Sequence, residues 1–488
     1  MSAEQQTFRF AAVEGRKVEA RFDGGEITTN AGALLLKQVD AQINLSSRVA
    51  EAFADWRLPE AVEHGLPNLV AQRIFGLALG YEDLNDHDQL RNDLALQVAV
   101  GKTSARREDC APLASKSTLN RLELSSEVVS RYCKTPHDPA KFESLFVDVF
   151  MEAHKRAPKK ITLDLDATDD RLHGEQEGRF FHGHYQCYCY LPLLIFAGKH
   201  LLAAKLRPAN VDAAHGALEE IARIVGQIRT RWPRVRIIVR GDGGFCRNDL
   251  MQWCEDNSVH YLFGLAKNSR LNAMVGRQLL SAAKEHALTG ETTRRFVDFS
   301  YQTRDTWTCR RRVVAKAEWI KPSAIELQES SDLDGQKPKK RRAPFLVGGV
   351  DLNALQGSAN PRFVVTSLSR REYGARELYE DMYCARGEME NRIKECQLDL
   401  FSDRTSTHYI SSNQLRLWFS ALAYVLIDAV RRIALEGTRL ASSTCGSIRS
   451  KLFKIGAKVT ISVRRIKFSM DEAFPHADVF AAAWAALS

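Results

Sequence analysis

The order of strand-like and helix-like patterns between residues 158 and 267 constrains the fold of this 488-residue chain more than any other feature. Three strand-like runs come first, KKITLDLDAT, YQCYCYLPLLIF and KHLLAAKLR, and the second is apolar enough to predict one long buried strand. An amphipathic helix, the buried run VRIIVRGDGG, a second helix and the run HYLFGLA follow. This order predicts an α/β fold in which an antiparallel meander continues into helix-connected strands of a mixed sheet.

Two aspartates stand at strand ends in this predicted sheet. Asp166 lies at the end of the first strand, and Asp242 directly follows VRIIVRG. Open sheets bind ligands at the carboxyl ends of their strands, so we expect both side chains near a ligand. Asp164 is an alternative to Asp166, because strand alternation puts both on one face, but Asp166 is nearer the strand end. Taken separately, each aspartate is more typical of a strand cap or a surface position.

A third carboxylate lies far downstream, in the sequence YCARGEMENRIK. Helical periodicity puts Tyr383, Arg386, Glu390 and Lys394 on one stripe of a helix. Glu388 is an alternative to Glu390, but it points to the other side of that helix. An ordinary solvated helix with Arg-Glu-Lys pairs, each worth about 0.2–0.5 kcal/mol, would show the same stripe. The two upstream aspartates favour the functional interpretation.

Together these residues predict a metal-dependent phosphoryl-transfer site. Carboxylates from two neighbouring strands and a facing helix can hold divalent cations, and Asp and Glu oxygens suit Mg²⁺, which takes further ligands from substrate phosphate. Two ions about 3.5–4 Å apart would clamp the attacking and leaving oxygens. The predicted cofactor is therefore a pair of Mg²⁺ ions, with Mn²⁺ as a substitute.

Positive charge is concentrated in stretches suited to a phosphate backbone. Residues 401–488 hold 12 Lys and Arg against 6 Asp and Glu, in a chain of net charge +9. Basic patches attract nucleic acid through counterion release, although a solvated surface or, for the KPKKRR run, a solvated loop explains such charge equally simply. The candidate DNA-contacting basic residues are Arg310, Arg311, Arg312, Lys339, Lys340, Arg341, Arg464, Arg465 and Lys467.

Membrane and disulfide-rich classes do not fit the sequence. It has no run of 18 apolar residues, and MSAEQQTFRF lacks a signal-peptide pattern, so we expect a cytoplasmic protein without membrane contact. The 10 cysteines include no CxxC pair, which indicates reduced, structural thiols. His173, His182 and His184 follow Asp166 and invite a metal-ligand interpretation, but hydrogen-bonded surface histidines are commoner.

The remaining segments are predicted from their local patterns. Residues 1–27 suggest a hairpin, Thr28–Asn30 a helix N-cap, and SKSTLNRL a basic helix that belongs either to a helix-turn-helix or to plain packing. The predicted units are a mainly helical DNA-binding or dimerisation domain (1–157), the first part of the core (158–267), a β-rich insertion (268–360), the second part of the core with the Glu390 helix (361–410) and a basic helical and β-hairpin region (411–488).

These motifs resemble the insertion-sequence transposases that have an RNase H-like DDE core, in the IS-four superfamily. The resemblance is carried by Asp166-Ala-Thr168, by Gly241-Asp242-Gly-Gly-Phe245 and by Tyr383-x2-Arg386-x3-Glu390. Within that group the chain looks most like the IS-thirteen-eighty family, through TTNAGALLLKQVD, GYEDLNDHDQLRND, DLDATDDRLHGEQEGRFFHGHYQCYCYLPL and ENRIKE.

The resemblance implies roles for particular residues. Asp166, Asp242 and Glu390 would be the catalytic triad that binds two Mg²⁺ ions, and Tyr383 and Arg386 would contact DNA near the transposon end. The superfamily pattern has Lys seven residues after this Glu, whereas this chain has Gln397, and Lys394 could reach a phosphate instead. In relatives that cut through a DNA hairpin, a tryptophan of the insertion stacks on a flipped base; Trp307 or Trp319 could do so here, or could be buried in the insertion core.

The predicted function is therefore cut-and-paste DNA transposition. The protein would bind the terminal inverted repeats of its element, cut the strands and join the 3′-hydroxyl to target DNA, as a homodimer or a dimer assembled on DNA, in association with the bacterial nucleoid. Two alternatives remain open from the residues: a structure-selective nuclease on the same core, and a non-catalytic DNA-binding repressor or decayed transposase.

Overall fold

A computed structural model describes residues 6–102, 113–126, 128–130, 133–304, 306–321, 345–355 and 357–488 of the protein. The predicted DNA contacts Lys339, Lys340 and Arg341 lie outside these residues. Among the residues that the structure describes, no helix is both long enough and apolar enough to cross a membrane.

The strands and helices occur largely in blocks along the chain, and they alternate mainly between β9 and β12. The strands are β1 (Phe8–Val13), β2 (Arg16–Ala20), β3 (Ile27–Thr28), β4 (Lys160–Ala167), β5 (Asp170–Arg171), β6 (Phe180–His182), β7 (Cys187–Tyr190), β8 (Leu193–Ala197), β9 (His200–Lys205), β10 (Arg236–Gly241), β11 (His260–Leu265), β12 (Thr293–Tyr301), β13 (Arg311–Ile320), β14 (Leu346–Val347), β15 (Val350–Asp351), β16 (Ser358–Ala359), β17 (Arg362–Thr366), β18 (Ala457–Ile461) and β19 (Ile466–Met470). The α-helices are Ala33–Ile43, Leu45–Ala50, Leu66–Ala78, His87–Leu90, Leu94–Val100, Lys116–Glu123, Pro139–Glu152, Ala217–Arg231, Asn248–Asp256, Ser269–Met274, Gly276–Thr289, Ala375–Glu377, Gly387–Lys394, Ile410–Ala429, Cys445–Ile448 and Ala477–Leu487. Shorter 3₁₀ turns are Pro59–Ala61, Leu84–Asp86, Gly243–Phe245, Leu352–Ala354 and Cys384–Arg386, and π-helical turns are Leu378–Tyr383, Glu395–Asp399, Val430–Ala434 and Arg449–Phe453.

A large mixed sheet forms the centre of the described part of the chain. Its strand order is β12-β13-β17-β11-β10-β4-β8-β9, and β16 pairs with β13. β4, β10 and β11 are parallel neighbours, and the other pairs of the sheet are antiparallel. The mixed α/β fold predicted from the sequence is thus observed.

Different helices cover the two faces of this sheet. In β8, Phe196 packs in the buried cluster that contains the helix Ile410–Ala429, whereas Ile195 packs in the cluster that contains the helix Ala217–Arg231. Successive side chains of a strand point to opposite faces, so an apolar run buried on both sides divides in this way. The carboxyl ends of the parallel strands β4, β10 and β11 lie at one edge of the sheet, between the two helical layers.

Two local sequence predictions are wrong. The run YQCYCYLPLLIF is not one strand, because it breaks at Leu191-Pro192 into β7 and β8, and a proline cannot donate to a strand ladder. β7 instead forms a small sheet with β5 and β6.

The helix N-cap predicted at Thr28–Asn30 is instead Gly32, where a Cβ atom would lie only 2.2 Å from the Leu452 carbonyl oxygen. Close packing against the C-terminal part of the chain therefore requires a glycine at this N-cap.

The segment 268–360 begins with two helices that the sequence analysis did not predict, Ser269–Met274 and Gly276–Thr289. Its long strands β12 and β13 extend the central sheet, since β13 pairs with β17. The described part of this segment is therefore continuous with the core sheet, and it is not purely β-structure.

The N-terminal and C-terminal parts share one hydrophobic core. Leu36 and Phe75 belong to the same buried cluster as Leu422 and Phe453. β3 also pairs with β18. Residues 1–157 and 411–488 thus depend on each other for burial, while the functional division into five segments stays a prediction.

Candidate active site

The two strand-end aspartates lie side by side at one edge of the sheet. β4 and β10 are parallel, with Arg240 opposite Asp164 and Gly241 opposite Leu165. One step further along this register, Asp242 comes opposite Asp166, at the spacing of about 4.8 Å between neighbouring strands. The sequence analysis expected both side chains near a ligand at the strand ends, and the structure brings them together there.

Backbone contacts orient both carboxylates. Oδ1 of Asp166 accepts a hydrogen bond from Ala167 N at 3.0 Å, and Oδ1 of Asp242 accepts one from Gly244 N at 2.8 Å. Burial raises the pKa of Asp166 to about 6; the nearby Arg386 guanidinium opposes this rise, and the Asp242 and Glu390 carboxylates add to it. The chain therefore holds Asp166 in a place where its negative charge is incompletely compensated.

Asp164, the alternative to Asp166, is committed to a structural ion pair. It is buried, and its carboxylate accepts two hydrogen bonds from Arg240, one of them from Nη2 at 2.8 Å. Arg240 also donates to the carbonyl oxygen of Met382. This arginine thus connects β4 to the helical segment that carries Glu390.

That helical segment, residues 375–399, is not the uniform α-helix that the sequence predicted. A π-helical turn, Leu378–Tyr383, and a 3₁₀ turn, Cys384–Arg386, precede the α-helical turns Gly387–Lys394. π-Helical turns inside helices occur frequently at functional sites. The predicted single stripe is therefore distorted at its first two residues, although the spacing from Arg386 to Glu390 remains helical.

Tyr383 lies over the neighbouring parallel strand. A Cβ atom added to Gly264 of β11 would be only 2.6 Å from the Tyr383 hydroxyl, so this close approach requires a glycine. Burial raises the pKa of the Tyr383 phenol, and the Asp242 charge adds to the effect. The phenol is thus held protonated beside the strand-end aspartates.

Arg386 connects the aspartate of the strand to the glutamate of the helix. Its Nη1 lies 3.4 Å from Oδ2 of Asp166, and its Nη2 lies 3.3 Å from Oε1 of Glu390. Arg386 and Asp166 are mostly buried, whereas half of the Glu390 side chain is exposed. We call Asp166, Asp242, Glu390 and Arg386 the carboxylate centre.

Two residues beside this centre were missed as functional candidates. Gln397 Nε2 donates to Thr168 Oγ1 at 3.3 Å and to the Asp169 carbonyl oxygen at 3.1 Å, which ties the far end of segment 375–399 to the end of β4. The only signal in the sequence was that Gln397 stands where the resemblance expects Lys. Lys394 is exposed one turn earlier.

The other missed residue is Tyr185, whose hydroxyl donates to the Ala167 carbonyl oxygen at 3.2 Å. Burial raises the pKa of Tyr185 to about 12, and the charges of Asp169, Asp166 and Asp242 add to the rise. Nothing in the pattern HGHYQCYCY distinguishes this tyrosine from its aromatic neighbours, so only the three-dimensional structure identifies it.

The donor chemistry of the carboxylate centre fits a hard divalent cation, but its arrangement here is that of an ion-pair network. Among the residues that the structure describes, no three His, Cys, Asp or Glu side chains are assembled closely enough to hold a metal ion. The Arg386 guanidinium lies between two of the carboxylates and compensates their charge only in part. His182 and His184 have ring centroids 6.4 Å apart and form no such cluster with His173.

Three predicted DNA contacts in the segment 268–360, Trp307, Arg311 and Arg312, are engaged in contacts within the protein. Trp307 is buried against Tyr301, with ring centroids 5.8 Å apart, and Trp319 is also buried. Arg311 forms a buried pair with Glu255 at 2.7 Å, and Arg312 pairs with Asp298 at 2.8 Å. Contact of Trp307, Arg311 and Arg312 with DNA would require these internal contacts to change, and it stays a prediction.

The other basic candidates that the structure describes are exposed. Arg310 donates to the side chain and backbone of Ser300 on the neighbouring strand. Arg464 and Arg465 lie at the tip of the β18–β19 hairpin, and Lys467 lies on β19. These positions leave the three hairpin cations accessible.

Comparison with known proteins decides the family. The sequence matches the family model described as "Transposase DDE domain group 1" over residues 10–326 and 351–488. The chain belongs to this DDE transposase family. No curated protein matches the sequence. Transposition of DNA is the activity of this family, and the carboxylate centre lies within the matched residues.

Proposed function

We propose that this chain is the transposase of an insertion sequence, and that Asp166, Asp242 and Glu390 are its catalytic carboxylates. The observation that carries the proposal is the register of β4 and β10, which puts Asp166 and Asp242 side by side while Arg386 connects Asp166 to Glu390. The mixed sheet with a carboxylate-bearing helix across its edge supports an RNase H-like core of the IS-four type. The motifs shared with the IS-thirteen-eighty family support the finer placement.

The three carboxylates would hold two Mg²⁺ ions, or Mn²⁺, which supply activation of the attacking hydroxyl and stabilisation of the leaving oxygen. The chain's own residues orient this centre. Arg240 fixes the helical segment to β4 near Met382, and Gln397 fixes it again beyond Glu390. Cations held there would compete with Arg386 for Asp166 and Glu390, and the Arg386 guanidinium would then be available to a DNA phosphate.

DNA binding is proposed for the exposed cations around the centre and on the C-terminal hairpin. Lys394 and Tyr383 flank the carboxylate centre, and Arg464, Arg465 and Lys467 are exposed on β18–β19. Such residues bind the backbone without reading its sequence. The ligands are the terminal inverted repeats and the target DNA, held by a homodimer that brings two ends together.

The test is a strand-transfer assay on the purified protein. Mg²⁺ and a labelled duplex that carries the DNA flanking its own gene are added, and nicked, hairpin and joined products are resolved. Joined product from the wild type that disappears in Asp242→Ala supports the proposal, and Asp256→Ala, on an exposed helix end, is the matched control. Hydrolysis without joining would instead establish a nuclease, and binding without cleavage a repressor or decayed transposase.

A further inference from the structure

The small hairpin formed by β6 and β7 exposes an unusual number of aromatic rings. Phe180, Phe181 and Tyr188 are 42%, 54% and 45% exposed. Single exposed apolar side chains are normal on a protein surface, but neighbouring ones commonly mark an interaction site. This hairpin is therefore a candidate binding surface.

Phe181 and Tyr188 are arranged as one surface. They lie directly opposite each other in the antiparallel register, and their ring centroids are 5.6 Å apart with planes at 75°. The Arg179 guanidinium lies 4.3 Å from the centre of the Tyr188 ring. The same guanidinium also pairs with the exposed Glu175 carboxylate at 3.3 Å. We call Phe181, Tyr188 and Arg179 the aromatic platform; it combines partly exposed rings with a guanidinium group.

The platform is attached to the carboxylate centre. At the tip of the same hairpin, Tyr185 donates to the carbonyl oxygen of Ala167, the residue after Asp166. Tyr188 lies on β7 beyond this turn, and its carbonyl oxygen accepts a hydrogen bond from Leu172 N at 2.9 Å. β7 also pairs with β5, which begins four residues after Asp166. The hairpin that carries these rings thus adjoins the strand end that carries Asp166, where a DNA strand in the proposed active site would lie.

We propose that Phe181, Tyr188 and Arg179 bind unpaired DNA bases beside the cleavage centre. The inference rests on the proposed function, because the surface adjoins the site at which strands would be cut. Aromatic side chains stack on any base, whereas a duplex presents phosphates outward and keeps its base faces covered. The Arg179 guanidinium over Tyr188 can exchange its exposed Glu175 partner for a phosphate oxygen, which favours a nucleic acid over an apolar protein segment as the occupant.

The test measures the affinity of the full-length protein for a short, fluorescently labelled single strand by anisotropy. The double variant Phe181→Ala/Tyr188→Ala is expected to bind about 10-fold or more weakly, because stacking contributes substantially for each base. Phe181→Tyr/Tyr188→Phe keeps both rings and should retain the affinity. Trp56→Ala and Trp484→Ala remove equally exposed aromatic rings elsewhere and serve as matched controls. Affinity for a duplex of the same length should change far less.

Several outcomes would overturn the proposal. Unchanged single-strand affinity in the double alanine variant would do so, and so would an equal loss for single strand and duplex. A change in molecular mass by light scattering, without a change in affinity, would show that the platform is an interface with a second copy of the chain. Failure of the proposed function would be seen separately, since a wild type that never cuts DNA can still lose single-strand affinity when the rings are removed.

Discussion

The carboxylate centre and the charged strand β13 are equally rich in ionisable groups, but they compensate their charges differently. Along β13, Arg311 is paired with Glu255 at 2.7 Å, Arg312 with Asp298 at 2.8 Å and Lys316 with Glu318 at 2.8 Å. The contacts of Arg386 in the carboxylate centre are longer, at 3.4 and 3.3 Å, and this one cation is shared by two carboxylates.

This difference shows which charges are available to a ligand. A basic or acidic run in the sequence does not indicate binding when each of its charges already has a buried partner. A set of carboxylates with one shared cation retains an excess of negative charge, which a metal ion can satisfy.

The largest expected effect is on catalysis at the carboxylate centre. Glu390→Gln keeps the shape of the side chain but removes its charge, so DNA cleavage should fall about 10³-fold or more, because metal-ion stabilisation of the transition state is worth several kcal/mol. Affinity for the DNA ends, measured by anisotropy, should change little. Glu388→Gln, two residues away and exposed, is the control. Lost binding in Glu390→Gln would assign Glu390 a structural role. The carboxylate centre would then resemble β13, where the charged side chains stabilise the fold.

A change on β13 should affect stability and leave catalysis intact. Glu255→Ala leaves the buried Arg311 guanidinium without its carboxylate partner, which should lower the free energy of unfolding by about 3 kcal/mol. Urea denaturation measures this, with Glu436→Ala at an exposed position as the control. An unchanged stability together with weaker DNA binding would mean that Arg311 contacts DNA after all.

The pH dependence of stability should reveal the incompletely compensated charge of Asp166. Its pKa is raised from 3.8 to about 6 in the folded protein. The folded state therefore binds this proton more tightly than the unfolded state, and the resulting stability is present below pH about 4 and is lost as pH rises through about 6. Without divalent ions, the free energy of unfolding of Asp166→Asn should rise relative to that of the wild type as the pH increases from about 4 to about 8. The expected rise is about 1–3 kcal/mol. Urea titrations at both pH values check this. A difference in the free energy of unfolding between variant and wild type that does not change with pH would contradict the prediction.

The smallest expected effect concerns the two hydrogen bonds that Gln397 donates. Gln397→Ala removes two hydrogen bonds that hold segment 375–399 to the end of β4, and cleavage should fall about 10-fold through lost positioning. Single-turnover kinetics measure the loss, and the DNA dissociation constant should stay constant. Gln397→Glu, which cannot donate these bonds, should behave in the same way, and Leu398→Ala is the exposed neighbour for comparison. Loss of affinity instead of rate would make Gln397 a DNA contact.

The sequence predicted the parts of the site that depend on local pattern. Asp166 and Asp242 follow apolar runs that form adjacent parallel strands, so their strand-end positions were sufficient to expect them near one site. The spacing of Arg386 and Glu390 likewise predicted a contact within one helix, and that ion pair is present.

The missed features depend on contacts between distant parts of the chain. Tyr185 and Gln397 are identified only by what they touch, the Ala167 carbonyl oxygen and the end of β4. Trp307 and Arg311 were predicted at the DNA because a sequence does not show whether a ring or a cation is buried. The π-helical turn before Arg386 was also missed, because regular periodicity was assumed for a segment that must fit against Gly264.

The most direct test of the carboxylate centre is anomalous X-ray diffraction from crystals of the protein grown with Mn²⁺. Manganese peaks bound by Asp166, Asp242 and Glu390, with the Arg386 guanidinium withdrawn from Asp166, are the predicted result. Full manganese occupancy at other residues, with Arg386 still joining Asp166 to Glu390, would contradict the account.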